Sequence, residues 1–166
     1  MSLDRLLTQL QPLLERLKSF DPGAPGAAQT LAKDFPLDAA PMRALRALVR
    51  EGVGAKWLCD RENAGVRYSR VLKAAPGAIS IDAVHLGGPG AAHTHPNGEL
   101  DLCFAVSGDP RFDGRPEGWT VYPPNSWHEP TVQGGAMDIL YFLPGGAIRF
   151  GDKPEGARGV GLQAEM

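Results

Sequence analysis

Three histidines and one glutamate give the clearest chemical signal in this sequence. His93 and His95 are separated by one residue, so their side chains share a face if the segment is a β-strand. The turn-forming run 96–98 (Pro-Asn-Gly) follows and can bring Glu99 back beside the two imidazoles. His128 stands further along, at the end of another strand-like run. Three imidazoles and a carboxylate suit a divalent transition metal, so we predict that one such ion (Fe, Mn, Ni, Co or Zn) binds per chain.

The residues around this group resemble the two motifs of the cupin superfamily. The first motif, G-x5-H-x-H-x3-E-x6-G, is matched in register by Gly87, His93, His95 and Glu99. The core of the second motif, G-x5-P-x-G-x2-H-x3-N, is matched by Pro123, Asn125 and His128. The resemblance implies a small jelly-roll β-barrel whose interior holds a metal on three histidines and the glutamate.

The chain departs from the cupin motifs at positions that are not ligands. Gly108 closes the first motif two residues late, which indicates a longer strand or loop. Asn125 stands where glycine is usual, a mild change because asparagine also tolerates the left-handed region. Val132 replaces the final asparagine of the second motif.

Composition excludes several classes of function. The 166 residues fit one domain, and a net charge of −2 without a basic stripe argues against nucleic acid as a partner. No apolar run approaches the ~20 residues of a membrane span, and the N-terminus lacks a secretory pattern. Two cysteines, Cys59 and Cys103, make no disulfide framework. We therefore expect a reduced, cytoplasmic protein that does not contact a membrane.

The first 55 residues are predicted to be helical. Leucines recur at three- and four-residue intervals from Leu3 to Leu17, as in an amphipathic helix, and a shorter helix is expected over 27–34. A third helix should start at Asp38 as N-cap, with Pro41 in its first turn, and end at Gly52 or Gly54. The apolar stripe is expected to pack against the chain's own barrel or a second subunit, so a homodimer is predicted.

Residues 56–150 are predicted to form the barrel, and 151–166 a flexible tail. The high content of 21 glycines and 15 prolines favours short strands joined by turns. Strands are expected over 65–72, 79–86, 93–95, 99–106, 119–122, 128–132 and 136–143. The fold class is therefore mainly β: a single cupin-type jelly-roll barrel preceded by an N-terminal helical segment.

Strand parity identifies a candidate acid–base residue. If Glu99 faces the barrel interior, so do Asp101 and Cys103. A carboxylate enclosed near a metal should have a raised pKa, which makes Asp101 the first candidate for a general acid or base. An equally good alternative is that Asp101 only orients a ligand imidazole. Cys103 is better explained as a small buried residue than as a nucleophile.

Candidate substrate-binding residues lie on several strands. Arg67 and Arg70 have opposite parities, so at most one can point inward as a clamp for a carboxylate, and a surface salt bridge would explain either. Tyr68, Tyr122 and Trp127, together with Tyr141, would wall an aromatic pocket, although core packing would explain each equally well.

Longer segments resemble the 4-hydroxylaminobenzoate lyases of bacterial nitroarene degradation. They are residues 59–61, 66–70, 95–104, 108–114, 118–119, 121–124 and 139–146. The resemblance implies conversion of a small aromatic acid, 4-hydroxylaminobenzoate, and water to 3,4-dihydroxybenzoate and ammonia. Our hypothesis for the mechanism is that the metal acts as a Lewis acid, Asp101 or Glu99 moves protons, and Arg67 or Arg70 holds the ring carboxylate. Two alternatives use the same fold: an Fe(II) dioxygenase acting on a catechol or aminophenol, and a non-catalytic cupin that binds small molecules.

Overall fold

The computed structural model of the chain describes residues 2–164. Three helices come first: α1 (Ser2–Leu17), α2 (Ala27–Asp34) and α3 (Ala40–Ala55). The strands are β1 (Arg61–Asn63), β2 (Val66–Leu72), β3 (Ile79–Leu86), β4 (His93–His95), β5 (Glu99–Phe112), β6 (Gly118–Tyr122), β7 (Ser126–His128), β8 (Val132–Pro144), β9 (Arg149–Phe150) and β10 (Arg158–Gly159). A 3-10 helix, Gly161–Gln163, follows β10.

The strands form two sheets that make a cupin-type jelly roll. Six strands have the order β1-β2-β3-β8-β5-β6, and four have the order β10-β7-β4-β9. Every pairing between these strands is antiparallel except that of β10 with β7. The predicted fold class, a mainly β barrel preceded by helices, is confirmed. Among residues 2–164, no helix combines the length and hydropathy needed to span a membrane.

The helices cover the outer face of the six-stranded sheet. Leu6, Leu10, Leu13 and Leu17 of α1 are buried, and they share one apolar cluster with residues of α3 and of the sheet, such as Leu102. An exposed ion pair, Arg5 with Glu51 at 3.3 Å, joins α1 to α3 at the edge of this contact. The leucine stripe is therefore used inside the chain.

The ends of α3 differ from the prediction. The N-cap is Ala39, in extended backbone and without a side-chain cap, so the assignment of Asp38 to that position is wrong. Pro41 does lie in the first turn. The helix continues through Gly52 to Ala55. The absence of a side chain at Gly52 lets Leu58 pack closely against the helix, since a Cβ there would lie 2.7 Å from the Leu58 side chain.

Strand β5 is buried on both faces and carries the polar residues of the interior. Leu100 and Leu102 belong to the cluster beneath the helices, whereas Cys103 belongs to the cluster between the two sheets. Glu99 and Asp101 share the parity of Cys103, and both are 0% exposed. The strand extends beyond the predicted range, to Phe112. Two bulges beyond Ala105 interrupt the alternation of side chains, so the sequence pattern does not reveal this second half. Gly108 lies at the second bulge with φ +71°, where a Cβ would be 2.3 Å from the Gly134 carbonyl oxygen.

Two further expectations about the strands are wrong. The strand expected over 128–132 does not exist: β7 ends at His128, and Val132 already begins β8. The tail is not loose over 157–163, since β10 pairs with β7 and both Ala157 and Val160 are buried. Residues 165–166 of that predicted tail lie outside the described residues.

Candidate metal centre and substrate cavity

The four predicted ligands come together between the two sheets. His93, His95, Glu99 and His128 each offer one ligand atom, and these atoms lie within 4.8 Å of one another. His93 is directly opposite His128 in the β4–β7 ladder, and Glu99 reaches them from β5 of the other sheet. All four side chains are at most 2% exposed. The turn at 96–98 brings the carboxylate back to the imidazoles, as the spacing predicts.

The Nδ1 atom of each imidazole is held by an acceptor outside the group. Its partner is the Ala91 carbonyl for His93 (3.0 Å), Ser126 Oγ for His95 (2.9 Å) and Asp113 Oδ2 for His128 (2.7 Å). Ser126 Oγ donates its own proton to the Pro123 carbonyl at 2.6 Å, so it accepts from His95. With Nδ1 as the donor in each ring, each Nε2 can present a lone pair to a cation at the centre.

The centre of the group fits a divalent cation. The Nε2 atoms of His93 and His128 are 3.1 Å apart, and Glu99 Oε2 lies 3.0 Å from His93 Nε2 and 2.8 Å from His95 Nε2. Within residues 2–164, Glu99 Oε1 and His95 Nε2 are buried without a hydrogen-bond partner. Burial opposes the ionisation of Glu99, but His95 and His93 outweigh it and hold its pKa well below the usual range. Three imidazole nitrogens and one carboxylate that converge in this way could hold a cation, and this donor set suits several transition metals.

Asp113 is a functional residue that sequence reasoning missed. Besides His128, its carboxylate accepts the Tyr122 hydroxyl at 2.5 Å and the Thr131 backbone N–H at 3.0 Å. Asp113 and Gly114 both have positive φ, 49° and 83°, in a tight turn between β5 and β6. An Asp-Gly pair between strands signals such a turn. No sequence pattern shows that the aspartate turns back beneath a histidine that follows fifteen residues later.

A cavity of about 790 Å³ leads to the metal centre. His93 and Tyr141 form its inner wall, and the His93 ring lies 6.3 Å from the Tyr141 ring and 5.8 Å from the Phe150 ring. The other lining residues include Tyr68, Arg70, Asp82, Arg61, Val84, Ile148 and Glu129. The Arg70 side chain is 51% exposed whereas His93 is 2% exposed, so the arginine lies towards the solvent end of the cavity and the histidine towards its interior end.

The two candidate arginines lie on opposite faces of β2. Arg70 lines the cavity and forms an ion pair with Asp82, its cross-strand neighbour. Arg67 instead donates a hydrogen bond to the Val53 carbonyl at 3.2 Å, on the side of α3. Arg67 therefore lies away from this cavity, because its strand parity turns it towards α3.

The aromatic candidates also separate. Tyr68 lines the cavity, 38% exposed. Tyr122 lies outside the cavity lining; its ring stacks on His95 with centroids 5.8 Å apart, and its hydroxyl serves Asp113, so it supports the candidate ligands. Trp127 also lies outside the lining: it alternates with His128 on β7, and its indole N–H donates to the Gly151 carbonyl at 2.9 Å. Of the three aromatic candidates, Tyr68 is therefore the one that lines this cavity, and substrate contact by Tyr122 or Trp127 stays a prediction.

Asp101 lies beside the metal group, behind the cavity wall. It is 0% exposed, and in the described part of the chain neither of its oxygens has a hydrogen-bond partner. Burial, and then the negative charge of Glu99, raise its pKa well above the usual value. This raised pKa favours the protonated form of Asp101, which makes the carboxyl group a candidate proton donor.

His85, the remaining histidine, lies on the other face of the sheet. Its Nδ1 is 2.8 Å from Asp138 Oδ1, and Arg50 approaches the second oxygen of that carboxylate at 3.4 Å. These contacts, around the buried Asp138, join α3 to the sheet beneath the helices and are separate from the candidate metal centre.

Comparisons with known proteins agree with this geometry. Residues 8–150 match the family model for 4-hydroxylaminobenzoate lyase (PnbB). A 4-hydroxylaminobenzoate lyase of Nocardioides sp. (strain LMS-CY) is 35% identical over 120 residues, covering 64% of this chain and 70% of that protein. One of Pseudomonas putida is 28% identical over 146 residues, covering 76% and 83%. The crystal structure of DMSP lyase DddQ from Ruegeria pomeroyi DSS-3 superposes with a TM-score of 0.50 at 15% identity, over 93% of this chain and 98% of that chain; it supports the fold alone.

Proposed function

This chain belongs to the 4-hydroxylaminobenzoate lyase family, and from that premise we propose that it converts 4-hydroxylaminobenzoate, or a closely related hydroxylamino-aromatic acid, and water to 3,4-dihydroxybenzoate and ammonia. The observation that carries the proposal is a single cavity with an arginine towards its solvent end and a predicted metal ligand towards its interior end. A benzoate with a nitrogen substituent in the para position has the matching polarity: an anion at one end and a group for a Lewis acid at the other.

The dimensions of the sheet suit this substrate. Asp101, Tyr141, Asp82 and Arg70 are successive cross-strand neighbours on β5, β8, β3 and β2. Three strand spacings of ~4.8 Å place the first and last Cα atoms roughly 14 Å apart. Once the aspartate and arginine side chains fill part of that span, one substituted benzene ring fits between them. Tyr68 and Tyr141 would lie along the ring, and the Arg70 guanidinium would hold the carboxylate while Asp82 fixes its orientation.

A divalent metal on the three histidines and Glu99 would act as a Lewis acid towards the hydroxylamine oxygen and towards water. The residues of the chain then supply protons. As the N–O bond breaks, its oxygen leaves as water and needs one proton, which Asp101, whose raised pKa favours the protonated form, would donate. One water adds to the ring carbon beside the nitrogen-bearing carbon, and a second hydrolyses the resulting imine to release ammonia. Loss of the ring proton restores aromaticity, so one net water is consumed without an external oxidant.

The test is an anaerobic incubation of purified, metal-analysed protein with 4-hydroxylaminobenzoate, following both products. Ammonia and 3,4-dihydroxybenzoate in equal amounts without oxygen would support the lyase. Turnover only in the presence of oxygen would indicate a dioxygenase instead. Binding without turnover, at one metal per chain, would indicate a binding protein.

A further inference from the structure

We propose that the C-terminal segment, residues 157–163, positions the metal ligand His128, and that it does so through direct contact of Gly161 with Asp113. This segment lies beyond residues 8–150, which the family model matches. The inference rests on metal binding by the proposed enzyme, but it concerns how tightly the site is held rather than which reaction follows.

Backbone hydrogen bonds fasten the segment to β7 on both sides of His128. Arg158 N–H donates to the Asn125 carbonyl at 3.0 Å, and Val160 N–H donates to the Trp127 carbonyl at 2.9 Å. After the histidine, the Glu129 N–H donates to the Gln163 side chain at 3.1 Å. β7 is only three residues long, so these bonds supply one whole edge of its pairing, opposite β4.

The segment also closes the space behind the carboxylate that orients His128. A Cβ built on Gly161 would lie 2.6 Å from Asp113 Oδ2 and 3.1 Å from the Tyr122 hydroxyl oxygen. The same Oδ2 accepts the hydrogen bond from His128 Nδ1. Gly161 has φ +66°, a backbone conformation that disfavours other residues independently of the contact.

This arrangement links the segment to metal affinity. Because a Cβ on Gly161 would come within 2.6 Å of Asp113 Oδ2, the Gly161 backbone lies close behind the carboxylate and limits its movement away from the 2.7 Å bond to the His128 ring. Partners that hold a ligand imidazole typically change metal affinity by about 10–100-fold when they are disturbed. Gly161 and Asp113 are therefore positioning residues for the metal centre.

The test compares Gly161→Ala with Gly156→Ala in the full-length protein, using Co²⁺ as the probe and its visible absorption as the readout. Gly156 also has positive φ, +82°, but a Cβ there meets nothing within 4 Å, so it reproduces the backbone strain without the contact. We expect Gly161→Ala to bind Co²⁺ about 10–100-fold more weakly, with Gly156→Ala close to wild type. Equal affinities in the two variants would overturn the inference.

A double-mutant cycle with Asp113→Asn tests the route. If the segment acts through this carboxylate, the losses of Co²⁺ affinity in Gly161→Ala and Asp113→Asn will not add in the double variant, whereas additive losses would contradict the proposed contact. Should Gly161→Ala not fold, Gln163→Ala removes only the bond to the Glu129 backbone; a several-fold loss supports the inference and wild-type affinity overturns it. Failure of the wild-type protein to bind Co²⁺ would instead overturn the metal site itself.

Discussion

Asp101 and Glu99 lie two residues apart on one face of β5, yet their surroundings drive their pKa values in opposite directions. Burial acts to raise the pKa of both, but His95 and His93 outweigh it at Glu99 and lower the pKa of that carboxyl group. At Asp101, burial raises the pKa and the negative charge of Glu99 raises it further. Two carboxyl groups with separated pKa values can divide the work of a site, one as ligand and one as acid.

Replacing Asp101 with Asn should lower kcat by about 10²–10⁴-fold while leaving one metal per chain. Asparagine keeps the size and a hydrogen-bond donor but has no transferable proton. Initial rates and metal analysis of the same preparation measure the two effects. Cys103→Ala, two residues further along the same buried face, is the matched control and should turn over normally. Wild-type turnover in Asp101→Asn would remove Asp101 from the chemistry.

Replacing Arg70 with Gln should raise KM for 4-hydroxylaminobenzoate roughly 10–100-fold, the worth of a hydrogen bond between charged groups. The effect should vanish with phenylhydroxylamine, which lacks the carboxylate. Arg67→Gln is the control, since that side chain lies on the opposite face of the same strand, against the Val53 carbonyl. A similar KM change with both substrates would mean that Arg70 does not hold the carboxylate.

At the scale of elements, the helices and the site occupy opposite faces of the six-stranded sheet. Leu10→Ala should lower the free energy of unfolding by about 2–5 kcal/mol, because Leu10 is 0% exposed on the buried face of α1. The metal affinity of the folded protein should not change. Leu3→Ala, at a position 37% exposed on the same helix, should cost far less. Urea denaturation and metal titration check both variants. Loss of metal affinity in folded Leu10→Ala would contradict the separation of the two layers.

Sequence periodicity predicts the elements in which buried residues recur at a regular spacing. The leucine spacing predicts α1, and the alternation of residues 99–104 predicts both the first half of β5 and the shared face of Glu99 and Asp101. Periodicity failed where pairing is irregular: bulges conceal the second half of β5, and β10 is a two-residue strand fixed by β7. The sequence did not predict the hydrogen bond of Asp113 to His128 either, because that bond joins distant segments and follows from no local pattern.

For the whole molecule, the metal centre is where the two sheets are joined. His93 and His128 come from the four-stranded sheet and Glu99 from the six-stranded sheet, so a bound ion would link them across the interior. The leucine stripe that suggested a homodimer is buried inside the chain. The stripe therefore gives no support to a homodimer. The homodimer and the cytoplasmic location both stay predictions.

Removing the metal should lower the Tm of the whole molecule, because a ligand that binds only the folded state stabilises it. Free metal at 100-fold over Kd adds about 2.7 kcal/mol, which corresponds to roughly 5–10 °C for a domain of this size. Differential scanning calorimetry of chelated and reloaded protein measures the shift. His85→Gln, which changes a histidine outside the centre, should keep the shift, whereas His128→Gln should lose most of it. An unchanged Tm between chelated protein and protein that carries one metal per chain would show that the ion does not link the two sheets.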